Sequence, residues 1–108
     1  MKLPTEIFGD VIVVHTPEEL GADQTAEFDS YVRTLERTRV VLDLDNTETL
    51  DSSGLSALLD AHDLLREQGG DVKLATTNAM NRKIFEVTRL DDQLEVFDSV
   101  IDAVKSFQ

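Results

Sequence analysis

The chain has 108 residues, no cysteine and a formal charge of -12, from 22 acids against 10 bases. That length predicts one domain, residues 1–108, able to bury a core without staples. The charge argues against nucleic acid and anionic membrane surfaces as direct partners, and the lack of thiols excludes disulfides and thiolate metal sites.

No apolar run approaches the roughly 20 residues that span a bilayer, so membrane insertion is not expected. Met1 to Glu6 lacks the apolar segment of a signal peptide. Together with the absent cysteines this predicts a cytoplasmic protein, with a monomer as the default state.

Ile7-Phe8 and Val11 to Val14 are apolar, β-prone runs separated by Gly9-Asp10, which predicts a hairpin. Thr16-Pro17-Glu18-Glu19 has the chemistry of a helix start, but Gly21 follows too soon, so one turn or a loop is expected. From Ala22 to about Arg37, Phe28, Val32 and Leu35 recur at helical spacing, with Tyr31 alongside. Arg39 to Asp45 is a continuous apolar run ending in acids, which suits a strand covered on both faces.

After the polar loop Asn46 to Thr49, Leu55, Leu58, Leu59, His62 and Leu65 mark a helix beginning near Ser53, stopped by Gly69-Gly70. Val72 to Ala75 is a short strand. Asn78 caps a helix carrying Met80, Ile84 and Val87 on one face. Leu94 to Phe97 is a last strand, and Asp98 or Ser99 caps a helix with Val100, Ile101, Val104 and Phe107 inward. The order ββαβαβαβα predicts an α/β fold with a mixed, mainly parallel sheet and right-handed crossovers.

Functional loops of such folds gather at the carboxyl ends of the parallel strands. Asp51-Ser52-Ser53-Gly54-Leu55 lies at one of those ends, where a strand region gives way to a helix. A hydroxyl there stands at the positive end of a helix, beside N–H groups without intrahelical partners, and is well placed to carry a phosphate. Asp, Ser and Ser are also ordinary N-caps, and spacing alone favours plain capping.

Three segments decide between these readings: Val40-Val41-Leu42-Asp43-Leu44, then Leu50 to Leu55, then Gly69-Gly70-Asp71-Val72-Lys73-Leu74. Together they resemble the STAS domain, and more narrowly the stand-alone anti-sigma factor antagonists of bacteria. Lys83 to Leu90 also matches the family's third helix and the leucine after it, so the resemblance runs from about Val11 to Phe107.

The resemblance implies a non-enzymatic switch. In the family, the serine after the aspartate is phosphorylated by a partner kinase that is also the anti-sigma factor. Carried over, the acceptor is Ser52, flanked by Asp51, with Ser53 the alternative acceptor. Ser53, Gly54 and Leu55 would belong to the partner-binding face, Gly54 by permitting close backbone approach. The unmodified form would bind the kinase and free the sigma factor; the phosphorylated form would not, and a metal-dependent serine phosphatase would restore it.

One segment departs from the pattern. Where the family has a Gly-Glu-Leu-Asp-like turn, this chain has Thr16 to Asp23, and Asp23 takes the aspartate's part displaced by about one position. The same resemblance leaves open a STAS docking subunit of a transport complex and a component of a large stress-signalling assembly.

Other signals compete with the switch. Asp43-Leu44-Asp45-Asn46-Thr47 looks like the first motif of haloacid-dehalogenase-type phosphatases, with Asp43 as nucleophile, Asp45 as general acid and a magnesium ion. Such enzymes also need a lysine and further acids on a larger sheet, and a solvated strand end is the simpler reading. A calcium loop over Asp43, Asp45, Thr47 and Asp51 lacks the required glycine, since Glu48 is there, and the closing glutamate, since Gly54 is there.

His62 reads as a partly buried core histidine, and neither it nor His15 completes a catalytic triad. Phe85, Val87 and Leu90 read as core, or in part, with Met80 and Arg82, as a partner contact. There is no glycine-rich phosphate loop, so no cofactor is expected and ATP would come with the partner.

Overall fold

The computed structural model describes residues 1–108. β1 (Thr5–Phe8) and β2 (Val11–His15) form the expected hairpin, which Gly9 turns at a φ of +63° that costs glycine little. β3 (Glu19–Leu20) and α1 (Thr25–Arg33) follow, then β4 (Arg39–Asp43), β5 (Thr49–Leu50) and α2 (Ser52–Glu67). β6 (Asp71–Ala75), α3 (Ala79–Val87), a 3-10 turn at Leu90–Asp92, β7 (Val96–Phe97) and α4 (Val100–Lys105) complete the chain.

The main sheet runs in the order β1-β2-β4-β6-β7, antiparallel only between β1 and β2. The two-residue period of the strands sorts their side chains into two cores. Ile12, Val14, Val40, Leu42, Val72 and Leu74 pack with Phe28, Leu58, Leu65 and Phe85 of the first three helices. Val11, Val13, Val41 and Ala75 pack with Ala103 and Val104 of α4. β4 is the central strand, and Val40 to Asp43 are all buried, as its unbroken apolar run requires.

Three expectations are corrected. Thr16 to Glu18 is the expected loop, but Glu19–Leu20 forms an unexpected strand: β3 pairs in parallel with β5, Glu19 opposite Thr49 and Leu20 opposite Leu50. The N–H groups of Glu48 and Thr49 donate to the Glu18 carbonyl at 2.8 and 3.1 Å, and no local pattern reveals so distant a partner. In α3 Val87, read as core, is instead 70% exposed beside Met80 at 73%, while Asn81 and, as expected, Phe85 point inward. A polar side chain wins the interior there because the Asn81 amide donates to two loop carbonyls, Leu44 O and Thr47 O. In α4, Ser99 caps the helix as expected, but Ile101 is 53% exposed and Ala103 takes the inward place beside Val104.

The α4 face also holds a lysine. Lys73 of β6 is buried, its Nζ donates to Ser106 Oγ at 2.7 Å, and the ammonium lies 4.3 Å from the Phe107 ring centroid. Its apolar stem fills the sheet surface while its charge is met by the ring, the hydroxyl and Glu95 Oε1 at 3.7 Å. This contact fastens the end of the chain to the sheet.

Burial pushes the phenol of Tyr31, on α1, above its ordinary value of 10.0. The unfolded chain releases that proton near 10, so above that pH the folded state holds more protons than the unfolded one. This contribution to stability is complete below pH 10 and is lost as pH rises through the folded value. With one tyrosine and no tryptophan, the phenolate absorbance reports this residue alone. Its midpoint is expected above 10 in the folded protein and back at about 10 in denaturant.

Candidate docking and phosphoacceptor site

β5 ends at Leu50, and Asp51 continues as extended backbone (φ -101°, ψ -175°) before α2 begins at Ser52. The Asp51 carboxylate does two jobs. Oδ1 accepts the Gly54 N–H at 2.9 Å and so caps the helix; Oδ2 accepts the Ala22 N–H at 3.3 Å and so holds the loop after β3. Gly21 makes room for it, since a Cβ there would stand 2.8 Å from Oδ2. Asp23, exposed, is the next residue of that loop.

Asp51→Ala is expected to remove about 1 kcal/mol of stability by loss of the cap. The melting temperature should fall by about 4 °C, readable by circular dichroism. Asp51→Asn keeps an acceptor oxygen and should recover most of the difference.

Gly54 is buried, and a Cβ on it would come within 2.0 Å of the Leu20 carbonyl oxygen. The first turn of α2 therefore lies directly on the β3 backbone, and Gly54 shapes the surface from beneath. Leu55 is half-buried against the main core. The helix thus begins one residue earlier than its apolar spacing predicts, because Asp51 and Gly54 together seat its first turn.

Ser52 occupies the first helical position and is exposed; Ser53 beside it is half-buried. Asp51 caps the third N–H of the helix, and those of Ser52 and Ser53 have no acceptor within it. Alignment of the peptide dipoles along 16 helical residues adds a favourable potential for an anion at this end. Glu19, Asp23, Glu48 and Asp51 are exposed on the segments meeting here, and the β3–β5 ladder sets Glu19 opposite Thr49. The surroundings of the hydroxyl are thus acidic.

A buried polar hub fixes the neighbouring loops. Thr47 Oγ1 donates to Pro17 O at 2.6 Å and accepts from Thr16 Oγ1, which also lies 3.1 Å from Asp43 O. Asn81 Nδ2 reaches Leu44 O at 3.3 Å and Thr47 O at 3.1 Å. The segments after β2 and β4 are thereby tied to each other and to α3, so the carboxyl end of the sheet presents a rigid surface. Sequence reading misses this hub; its only trace is polar Thr16 and Thr47 just beyond two apolar runs.

The acids of the competing motifs have separate partners. Asp43 is buried, with Oδ2 at 2.9 Å from His15 Nδ1 and Oδ1 accepting the Asp45 N–H at 3.0 Å. Asp45 accepts from the Thr77 N–H at 2.6 Å and from its hydroxyl at 3.2 Å, capping a different loop. Asp51 points into its own cap. These carboxylates do not converge, and no three His, Asp or Glu side chains are grouped as metal ligands. His62 is partly buried, 3.3 Å from Asp71 Oδ1.

Residues 2–103 match the STAS domain. The chain belongs to the STAS family. The anti-sigma F factor antagonist of Paenibacillus polymyxa is 22% identical over 112 residues, which covers 100% of this chain and 96% of that protein. Among solved STAS structures, an anti-sigma factor antagonist from Mycobacterium paratuberculosis superposes with a TM-score of 0.84 at 20% identity, over 97% of this chain and 92% of its own. The anti-sigma factor antagonist SpoIIAA in its unphosphorylated form gives 0.73 at 17% identity, over 98% and 96%. The Bacillus protein in its phosphorylated form gives 0.63 at 16%, over 99% and 100%.

Proposed function

We propose that this STAS protein is a bacterial anti-sigma factor antagonist that works by partner switching, with Ser52 as its phosphoacceptor. The unmodified chain binds an anti-sigma factor that is also a serine kinase and so frees the sigma factor. Phosphorylation of Ser52 ends that binding, and a serine phosphatase restores it. The chain is a substrate and a binding partner, not a catalyst, and acts in the cytoplasm.

The observation that carries this reading is the exposed Ser52 hydroxyl at the first position of α2, on a surface braced by Asp51 and the Thr16–Thr47–Asn81 hub. The Paenibacillus relative's role as antagonist and the existence of SpoIIAA in both phosphorylation states support it. Asp51 and Ser53 flank Ser52 in the chain, and Asp23 follows the Ala22 that Asp51 holds; these three would meet the partner, with Gly54 and Leu55 setting the shape of the face. The experiment is incubation with the cognate kinase and ATP, then peptide mass spectrometry. One added phosphate on the Ser52 peptide, abolished by Ser52→Ala and kept by Ser53→Ala, is expected; the reverse pattern moves the switch to Ser53, and no incorporation overturns it.

A further inference from the structure

The main sheet ends at β1, and all four residues of that strand are exposed. The His15 N–H donates to Pro4 O at 3.0 Å, and Glu6 stands opposite Val13 and Phe8 opposite Val11. In the alternating antiparallel pattern this turns the backbone groups of Pro4, Glu6 and Phe8 toward β2. Those of Thr5 and Ile7 turn outward, where no strand meets them. Sheet edges are commonly guarded by proline, by charge or by shortness. The other edge, β7, is two residues long and flanked by the exposed acids Glu95 and Asp98. On the β1 side, Pro4 sits at a position turned inward, so it removes no outer donor. Glu6, the one charge of β1, is held by His15 Nε2 at 2.8 Å.

An open edge accepts an extended strand. The residues of this edge favour one from a second copy of the chain. Antiparallel pairing about a two-fold axis at Thr5 sets Thr5 opposite its own counterpart, Ile7 opposite Leu3, Glu6 opposite Pro4 and Phe8 opposite Lys2. Ile7, 48% exposed, then meets Leu3, which packs on the α1 side of the sheet. On the other side Lys2 lies across from a Phe8 ring and diagonal to Glu6 of the second copy, and no acid faces an acid. Pairing about Glu6 would set Glu6 against Glu6, and pairing about Ile7 would run Thr5 against Gly9 in the turn. Two chains of net charge -12 repel, so they approach best where acids are few or already paired. In this hairpin Glu6 has His15, and Asp10 has Arg39 Nη1 at 3.0 Å. We propose that the chain self-associates through β1, joining two sheets into one across the two-fold axis. The monomer expected from the sequence is then the form at low concentration. Since α2 packs on β6, three strands from β1, the edge is separate from Ser52 and the proposal does not depend on the switch.

The test is a concentration series of the isotope-labelled full chain, read by sedimentation and by amide hydrogen exchange. A span from about 20 μM to about 1 mM brackets a dissociation constant on the order of 100 μM, the scale of a small transient contact. Across it the mass should move from monomer toward dimer. Exchange at Thr5 and Ile7 should slow about fourfold, in step with the falling monomer fraction, while Glu6, paired with Val13, stays constant. Ile7→Lys puts a charge opposite Leu3 from an exposed position and should weaken association at least about tenfold with the fold intact. Lys2→Glu sets an acid diagonal to Glu6 and should weaken it about threefold. Val87→Lys, on the exposed ridge of α3, should leave it unchanged. A constant monomer mass, exchange at Thr5 and Ile7 independent of concentration, unchanged association in Ile7→Lys or in Lys2→Glu, or loss of association in Val87→Lys would each overturn the proposal.

Discussion

On the proposed switch, the chain phosphorylated on Ser52 is expected to bind the anti-sigma factor at least about a hundredfold more weakly than the unmodified chain, a loss of about 3 kcal/mol. The size follows from where the charge would sit. A phosphoserine adds roughly -1.5 to -2 charges at neutral pH. Ser52 is exposed on a surface that already carries Glu19, Asp23, Glu48 and Asp51. A partner fitted to the neutral hydroxyl would meet added bulk, like-charge repulsion where it presents acids, and the cost of stripping water from a dianion.

The fold itself should hardly notice. The first helical turn offers unpaired N–H groups and the positive end of the dipole, worth about 0.3–1 kcal/mol to an anion, against repulsion from Asp51 and Glu48. The melting temperature of the phosphorylated chain is therefore expected within about 4 °C of the unmodified one. Amide spectra should differ only near Ser52. Ser52→Ala should bind within about threefold of wild type, because the hydroxyl is not the cap, and Ser52→Glu should fall between, having less charge and bulk than a phosphate. Equal affinity of modified and unmodified chains, measured calorimetrically against the cognate partner, would remove the switch and leave a constitutive binding domain.

What could be read from the residues was local. The caps at Asn78 and Ser99 and the runs of β2, β4 and β6 depend on neighbours within a few positions, and each stands where the spacing puts it; the cap at Asp51 lies one residue earlier. The β3–β5 ladder depends on a segment far along the chain and left no periodic trace. The inward face of α3 was read only in part: Phe85 is core as expected, but Val87 is not. Met80, Ile84 and Val87 make a regular apolar ridge, yet the interior is reached by Asn81, whose partners Leu44 O and Thr47 O belong to another loop. At the candidate site, Asp51 and Ser52 were legible as a capped helix start. The second bond of Asp51, to Ala22, was not, because it ties together two loops that only the tertiary fold makes neighbours.

Gly54→Ala is expected to destabilise the protein by about 2–3 kcal/mol, against what helix propensity alone predicts. In an unencumbered helix the change gains up to about 1 kcal/mol, because alanine loses less backbone freedom. Here the new methyl would stand 2.0 Å from Leu20 O and 2.9 Å from Leu50 Cδ1. The leucine side chain can move, but the carbonyl belongs to the β3 backbone, which is paired with β5. Either the first turn of α2 lifts or the ladder breaks, and overpacking of this kind costs about 1–3 kcal/mol or more. The melting temperature should drop by about 10 °C. Ser56→Ala, exposed on the same helix, should leave it unchanged or slightly raised. Because Gly54 seats the turn that carries Ser52 against the segment leading to Asp23, Gly54→Ala should also weaken partner docking at temperatures where it remains folded. A stabilised Gly54→Ala would mean that α2 does not rest on β3 as described, and the shape of the docking face would have to be drawn again.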